Sequence, residues 1–167
     1  MGVMMGEWLE GSYLATHMPL PALLLRLLMA TGLGAVIGIE REWKSRPAGL
    51  RTHSLTALAA AVFTIVMLEI LNSPALGMEH VTVDPVRIIE AVTAGVAFLA
   101  AGAIIQSRGE VKGLTTGAAM WLAGAVGVAC GLGYVLVAII AVAICLFVMV
   151  ILGLLTGAAN GKPGKAD

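Results

Sequence analysis

An all-α, polytopic membrane protein with five transmembrane helices is the fold class this sequence predicts, and three observations carry it. First, 59% of its 167 residues are hydrophobic and only 12% are charged, giving a mean hydropathy of +0.98. A soluble domain of this size needs a polar surface, which such a composition cannot supply. Second, the apolar residues gather into five runs, each near the ~20 residues that cross the hydrocarbon of a bilayer. Third, charge is concentrated. Six charged residues fall in the twelve positions from Glu40 to Arg51, between neighbours that are almost all apolar or small.

Taken in order, residues 1–20 carry Trp8 and Tyr13 among Gly and Met. They read as an N-terminal segment at the outer interface, either a short amphipathic helix or disordered chain. No basic n-region marks a signal peptide, since the first basic residue is Arg26. The transmembrane domain is expected over residues 21–156. Its first span, Pro21–Ile39, contains Gly34-x-x-x-Gly38, a flat face for close helix packing. After the charged stretch come Ser54–Leu71 and the acidic loop "NSPALGMEHVTVDP", followed by Val86–Ile105. Arg108 and Lys112 precede the fourth span, Thr115–Leu132; the fifth, Tyr134–Leu155, follows at "CGLGY". Gly131 and Gly133 are the candidate breakers that keep the last two from fusing into one helix. Residues 157–167, "GAANGKPGKAD", form a flexible basic tail on the cytoplasmic side.

The Lys and Arg distribution sets the expected orientation. With the N-terminus outside and the C-terminus inside, Arg41, Lys44, Arg46, Arg51, Arg108, Lys112, Lys162 and Lys165 are cytoplasmic. Only Arg26 and Arg87 lie toward the other side, so eight of the ten basic residues are inside. The formal net charge of zero gives no general attraction to nucleic acid. A tandem two-helix repeat is one reading of the order of spans, with the fifth helix added. "GLRT" at Gly49–Thr52 and "GLTT" at Gly113–Thr116 are offset by 64 positions, as are Gly38 and Gly102, Ala30 and Ala94, and Arg26 and Glu90. Chance matching among Gly/Ala-rich helices is the other reading.

Several residues could carry chemistry. Glu40, Arg41, Gly49, Arg51 and Thr52 form a cytoplasmic-face motif with Gly113, Thr115 and Thr116. Threonines near a helix start can cap free N–H groups, and the helix dipole favours an anion there. Arg51 at such a place either binds a phosphate, a headgroup or a partner's acid, or simply pairs with Glu40. Glu40, Arg41 and Arg51 are expected to form one polar network. Arg26, Glu69 and Glu90 sit about a turn inside the outer boundary, where charge is costly unless paired or functional. The expected pair is Arg26 with Glu90, and Glu69 is the rival partner. Trp121 is either a packing anchor or a hydrogen-bond donor. Cys130 and Cys145 match no metal or redox spacing and read as packing residues. No nucleotide loop, nucleophile–base pair or HExxH motif occurs, so no enzyme and no cofactor is expected.

The stretches "LLRLLMATGLGAVIGIEREW…AGLRTHSLTALAAAVF", "DPVRIIEAVTAGVAFLAAGAII" and "VKGLTTGAAMWLAGAVGVACGLG" resemble the MgtC/SapB family of bacterial inner-membrane proteins. The likeness covers roughly residues 22–155. Its motif positions are Arg26, Gly38, Glu40, Arg41, Gly49, Leu50, Arg51, Thr52, Gly113, Leu114, Thr115, Thr116 and Trp121. The resemblance implies a multi-pass protein of the bacterial inner membrane linked to magnesium homeostasis. It acts by binding or regulating a membrane partner or, alternatively, by transporting Mg²⁺ or another cation; a homo-oligomer is a further implied partner. The chain reads as a short form lacking the cytoplasmic C-terminal domain of virulence-associated members. It also has Glu90-Ala91 near a usual glutamine, and Ala97 and Ala101 for two usual glycines. The metal ligands, if any, are not specified by these residues.

Overall fold

The computed structural model describes residues 16–72, 84, 86–107 and 110–154. Five helices cross back and forth: α1 (Leu20–Trp43), α2 (Leu50–Leu71), α3 (Val86–Ala103), α4 (Leu114–Leu132) and α5 (Val135–Phe147). The last continues as a π-helical turn over Val148–Leu152. All five, with the π turn counted into the last, are long and apolar enough to cross a membrane. The protein is an all-α polytopic membrane protein. The N-terminal segment through residue 15 and the tail at 157–167 lie outside the described residues.

Two boundaries differ from the sequence reading, and both matter. Helix α1 runs four residues past Ile39, so Glu40, Arg41 and Glu42 belong to its last turn rather than to a loop. Helix α2 starts at Leu50, which brings Arg51, Thr52 and His53 into its first turn. The residues between are a short turn, with Ser45 in the left-handed region at φ 51°. Hydropathy falls before the helix ends, because a helix can carry its charged last turn out of the hydrocarbon. A second addition is a small antiparallel hairpin, β1 (Ile105–Ser107) with β2 (Glu110–Lys112), pairing Ile105 with Lys112 and Gln106 with Val111.

Helix α4 is the axle of the bundle. It packs against α1, α2, α3 and α5, and 61% of its apolar window is buried, against 17% for α3. Small residues make this possible. A Cβ on Gly127 would collide with the carbonyl oxygen of Ala57, and one on Gly131 would lie 2.7 Å from Cβ of Thr64. In lipid, where apolar burial drives little, such close backbone approach is a main source of helix association. Gly131 is therefore a packing residue and no breaker. Gly133 breaks the chain, at φ 91°, with its N–H and that of Tyr134 donating to the carbonyls of Cys130 and Ala129. Ala30, Ile37, Ala61, Ala123, Val126, Cys130, Ala138, Val142 and Cys145 form the main core, so both cysteines are packing residues. Helix α3 joins through a smaller cluster of Ala60, Val92, Val96 and Val128.

The two halves of the sequence repeat are not equivalent in space. Gly38 is wedged against Leu50, whereas nothing lies near the Cβ position of Gly102. Helices α1 and α3 both pack on α4 and make at most marginal contact with each other.

Candidate functional site: a buried charged cluster at the basic end

The ends of α1 and α5 and the starts of α2 and α4 meet at the end of the bundle that carries the charged stretch. Here Arg41 turns inward from the last turn of α1 and is only 3% exposed. Its Nη2 donates to Oγ1 of buried Thr116 at 3.1 Å, and Nη1 lies 3.7 Å from Sδ of Met149. Nη1 is also 3.5 Å from Oε2 of Glu40, itself 8% exposed. Lys44, one turn after Glu40, brings Nζ to 2.6 Å from Oε1 and to 3.5 Å from the Met149 carbonyl oxygen. Neither Glu40 oxygen accepts a hydrogen bond of good geometry, so its contacts are mainly electrostatic. The π turn at Val148–Leu152 presents both the sulfur and the carbonyl of Met149 to these cations; such turns recur at functional places in helices.

His53 lies beside this cluster, fully buried. Its Nδ1 is 2.8 Å from the carbonyl oxygen of Gly49. A carbonyl only accepts, so Nδ1 carries the hydrogen and Nε2 presents a lone pair, which has no partner. The backbone oxygen of His53 lies where a Cβ on Gly34 would be 2.6 Å away, so the glycine in α1 lets α2 approach.

The structure thus brings together Glu40, Arg41 and Thr116 from the expected motif. Arg51 is not among them. It is exposed in the first turn of α2 and makes no ion pair among the described residues. The expected Arg51–Glu40 pair is corrected to Lys44–Glu40. Thr52 does not cap α2: Gly49 is the N-cap residue, and Glu42 Oε2 accepts the Leu50 N–H at 3.0 Å. Thr52 instead offers its carbonyl to the Thr56 hydroxyl. Gly113 is the left-handed N-cap of α4, and Thr115 is exposed.

At the opposite end, the Arg26–Glu90 pair is also corrected. Arg26 Nη1 donates to the Gly131 carbonyl at 2.7 Å, which suits an arginine facing the uncovered carbonyls at the end of α4. Glu90 is exposed on α3. Glu69 does not take Arg26 either; its oxygens accept the N–H groups of His17 and Met18 at 2.7 and 3.0 Å. Trp121 is 55% exposed. It borders a groove of about 430 Å³ between α3 and α4, with Ile89, Thr93, Val96 and Ala125. No group of three or more His, Cys, Asp or Glu able to hold a metal occurs among the described residues. Sequence reasoning passed over Lys44, Glu42, His53 and Met149. The i,i+4 spacing of Glu40 and Lys44 is the one signal that could have found the first.

Fold and site together define an integral membrane protein with five candidate spans among the described residues and a buried arginine at one end of the bundle. The family model described as the MgtC family matches residues 27–158, and the chain belongs to that family. Protein MgtC of Salmonella typhimurium LT2 is 43% identical over 110 residues, covering 66% of this chain and 43% of that protein. An uncharacterized protein of Haemophilus influenzae Rd is 38% identical over 117 residues, 70% of this chain and 49% of its own length. The Escherichia coli K12 protein named "Putative magnesium transporter YhiD" is 38% identical over 110 residues, covering 66% and 51%. The chain spans about half the length of the curated relatives it matches. No solved structure matches it significantly.

Proposed function

We propose that this protein is a non-enzymatic component of magnesium homeostasis in the bacterial inner membrane that works by binding a membrane partner, with the basic end in the cytoplasm. The link to magnesium rests on family membership and on the names of its relatives. The observation that carries the choice of partner binding over transport is the closure of the bundle around α4. Gly127 and Gly131 are in contact with α2, and Gly124 with Val96 of α3. A Mg²⁺ ion demands octahedral oxygen ligation and gives up water reluctantly, and close apolar contacts of this kind support partner binding rather than passage of such an ion. Buried Arg41 adds a fixed positive charge at the end of α1. By contrast, α3 exposes Ala91, Ala94, Gly95, Ala101 and Gly102 around the large apolar side chain of Phe98, 80% exposed, an outward face of small residues and one aromatic that a second membrane helix can cover.

Transport, the role in YhiD's name, is the alternative. The purified protein in proteoliposomes, loaded with a Mg²⁺-sensitive dye, decides between them. Uptake indistinguishable from protein-free vesicles is expected. Saturable uptake that scales with the amount of protein would overturn the reading.

A further inference from the structure

Two helices, α2 and α4, begin at the basic end, and the first N–H groups of a helix have no partner inside it. At α2 the chain supplies its own anion, the Glu42 carboxylate on the Leu50 N–H. At α4 no carboxylate among the described residues does the same. Gly113 makes no side-chain cap, and the N–H groups of Leu114, Thr115 and Thr116 have no partner among the described residues. Arg41 is directed at this start. It is 3% exposed, and one arm of its guanidinium is bonded to the Thr116 hydroxyl in the first turn. Its Nε is buried with no partner, and so is Nε of Arg46. A buried guanidinium N–H without an acceptor is an expensive leftover. Two cations, Arg41 and Lys44, share the single carboxylate of Glu40, and Arg46 adds a further positive charge near Arg41, while Glu42 is engaged at α2. Leu114 and Thr115 are exposed, so the first turn of α4 can be reached from outside.

We infer that the start of α4, with Arg41 behind it, is a binding site for a phosphate-class anion. The N–H groups of Leu114, Thr115 and Thr116 and the free Nε of Arg41 are its donors. Helix N-termini favour such anions through their exposed N–H groups and dipole, and a guanidinium matches phosphate oxygens in geometry and charge. The oxygens can belong to an anionic lipid headgroup, since this end lies at a membrane boundary, or to free phosphate. The site stands whether the chain binds a partner or carries an ion.

The test is thermal unfolding of the purified chain in two arms. In a neutral detergent, inorganic phosphate is titrated against chloride at matched ionic strength. In nanodiscs, phosphatidylglycerol is compared with phosphatidylcholine alone. A saturable rise in Tm is expected, and the arm showing it names the source. Thr115→Glu places a carboxylate of the chain's own on the first turn. It should raise Tm without added anion and weaken the response at least about tenfold. Arg41→Lys keeps a charge for Glu40 but removes the guanidinium N–H groups, and should also weaken the response about tenfold. Arg87→Gln, on α3 at the opposite end, should leave it unchanged. No saturable rise in either arm overturns the inference, as does a Thr115→Glu variant that folds and keeps the full response.

Discussion

Arg41 and Arg51 are both arginines of one short charged stretch, yet they differ in what removing them should do. Arg41 is buried against Glu40, Thr116 and Met149. Truncating one member of a buried charged pair costs about 3–5 kcal/mol when the other is left alone, and here the Lys44 contact with Glu40 holds the loss toward the lower end. Arg41→Ala should therefore lower the unfolding midpoint strongly in detergent, whereas exposed Arg51→Ala should stay within about 0.5 kcal/mol of the parent. A double-mutant cycle checks the pairing. Glu40→Gln with Lys44→Met should be non-additive, and Glu40→Gln with Arg51→Ala should add. At the other end, the reversal Arg26→Glu with Glu90→Arg should recover no folded yield, since Arg26 serves the Gly131 carbonyl and Glu90 is exposed.

Among the elements, α4 is the least tolerant of added volume. Gly127→Ala pushes a methyl into the Ala57 carbonyl and should cost about 1–3 kcal/mol by forcing α2 and α4 apart. Gly133→Ala places a side chain at φ 91° and should cost about 1–2 kcal/mol in the same unfolding assay. How much of this was legible beforehand varies with the physics. Apolar runs mark spans because hydrocarbon imposes a length, and the five helices follow from that alone. Their ends do not follow, since a helix can continue into water carrying Glu40 and Arg41. In sequence alone Gly131 reads as a breaker, because a glycine near a span's end looks the same whether it turns the chain or admits a neighbour, and which helix it and Gly127 touch depends on what surrounds α4. The depth match of Arg26 with Glu90 was sound arithmetic. It failed because α1 and α3 each pack on α4, a matter of lateral order that no span-by-span reading contains. His53 at 0% exposure was hidden among residues that looked like loop.

For the whole molecule, the basic asymmetry predicts that a reporter fused after Lys165 is cytoplasmic and one inserted near Gly77 periplasmic. Activity of the first only in the periplasm would refute the proposed orientation. The reach of Arg41 along the chain has a consequence for how the protein is made. Its hydroxyl acceptor lies 75 residues later and its methionine contact 108 residues later. At roughly 5–20 residues per second, the ribosome needs on the order of 4–15 s to deliver Thr116 after Arg41 has emerged. During that wait the nascent first span holds an arginine without its final company. Placing it on the last helical turn, beside the aqueous boundary, lets water and headgroups shelter it until the fourth and fifth segments arrive. Biogenesis, as much as the finished architecture, therefore restricts where along α1 such a residue can stand.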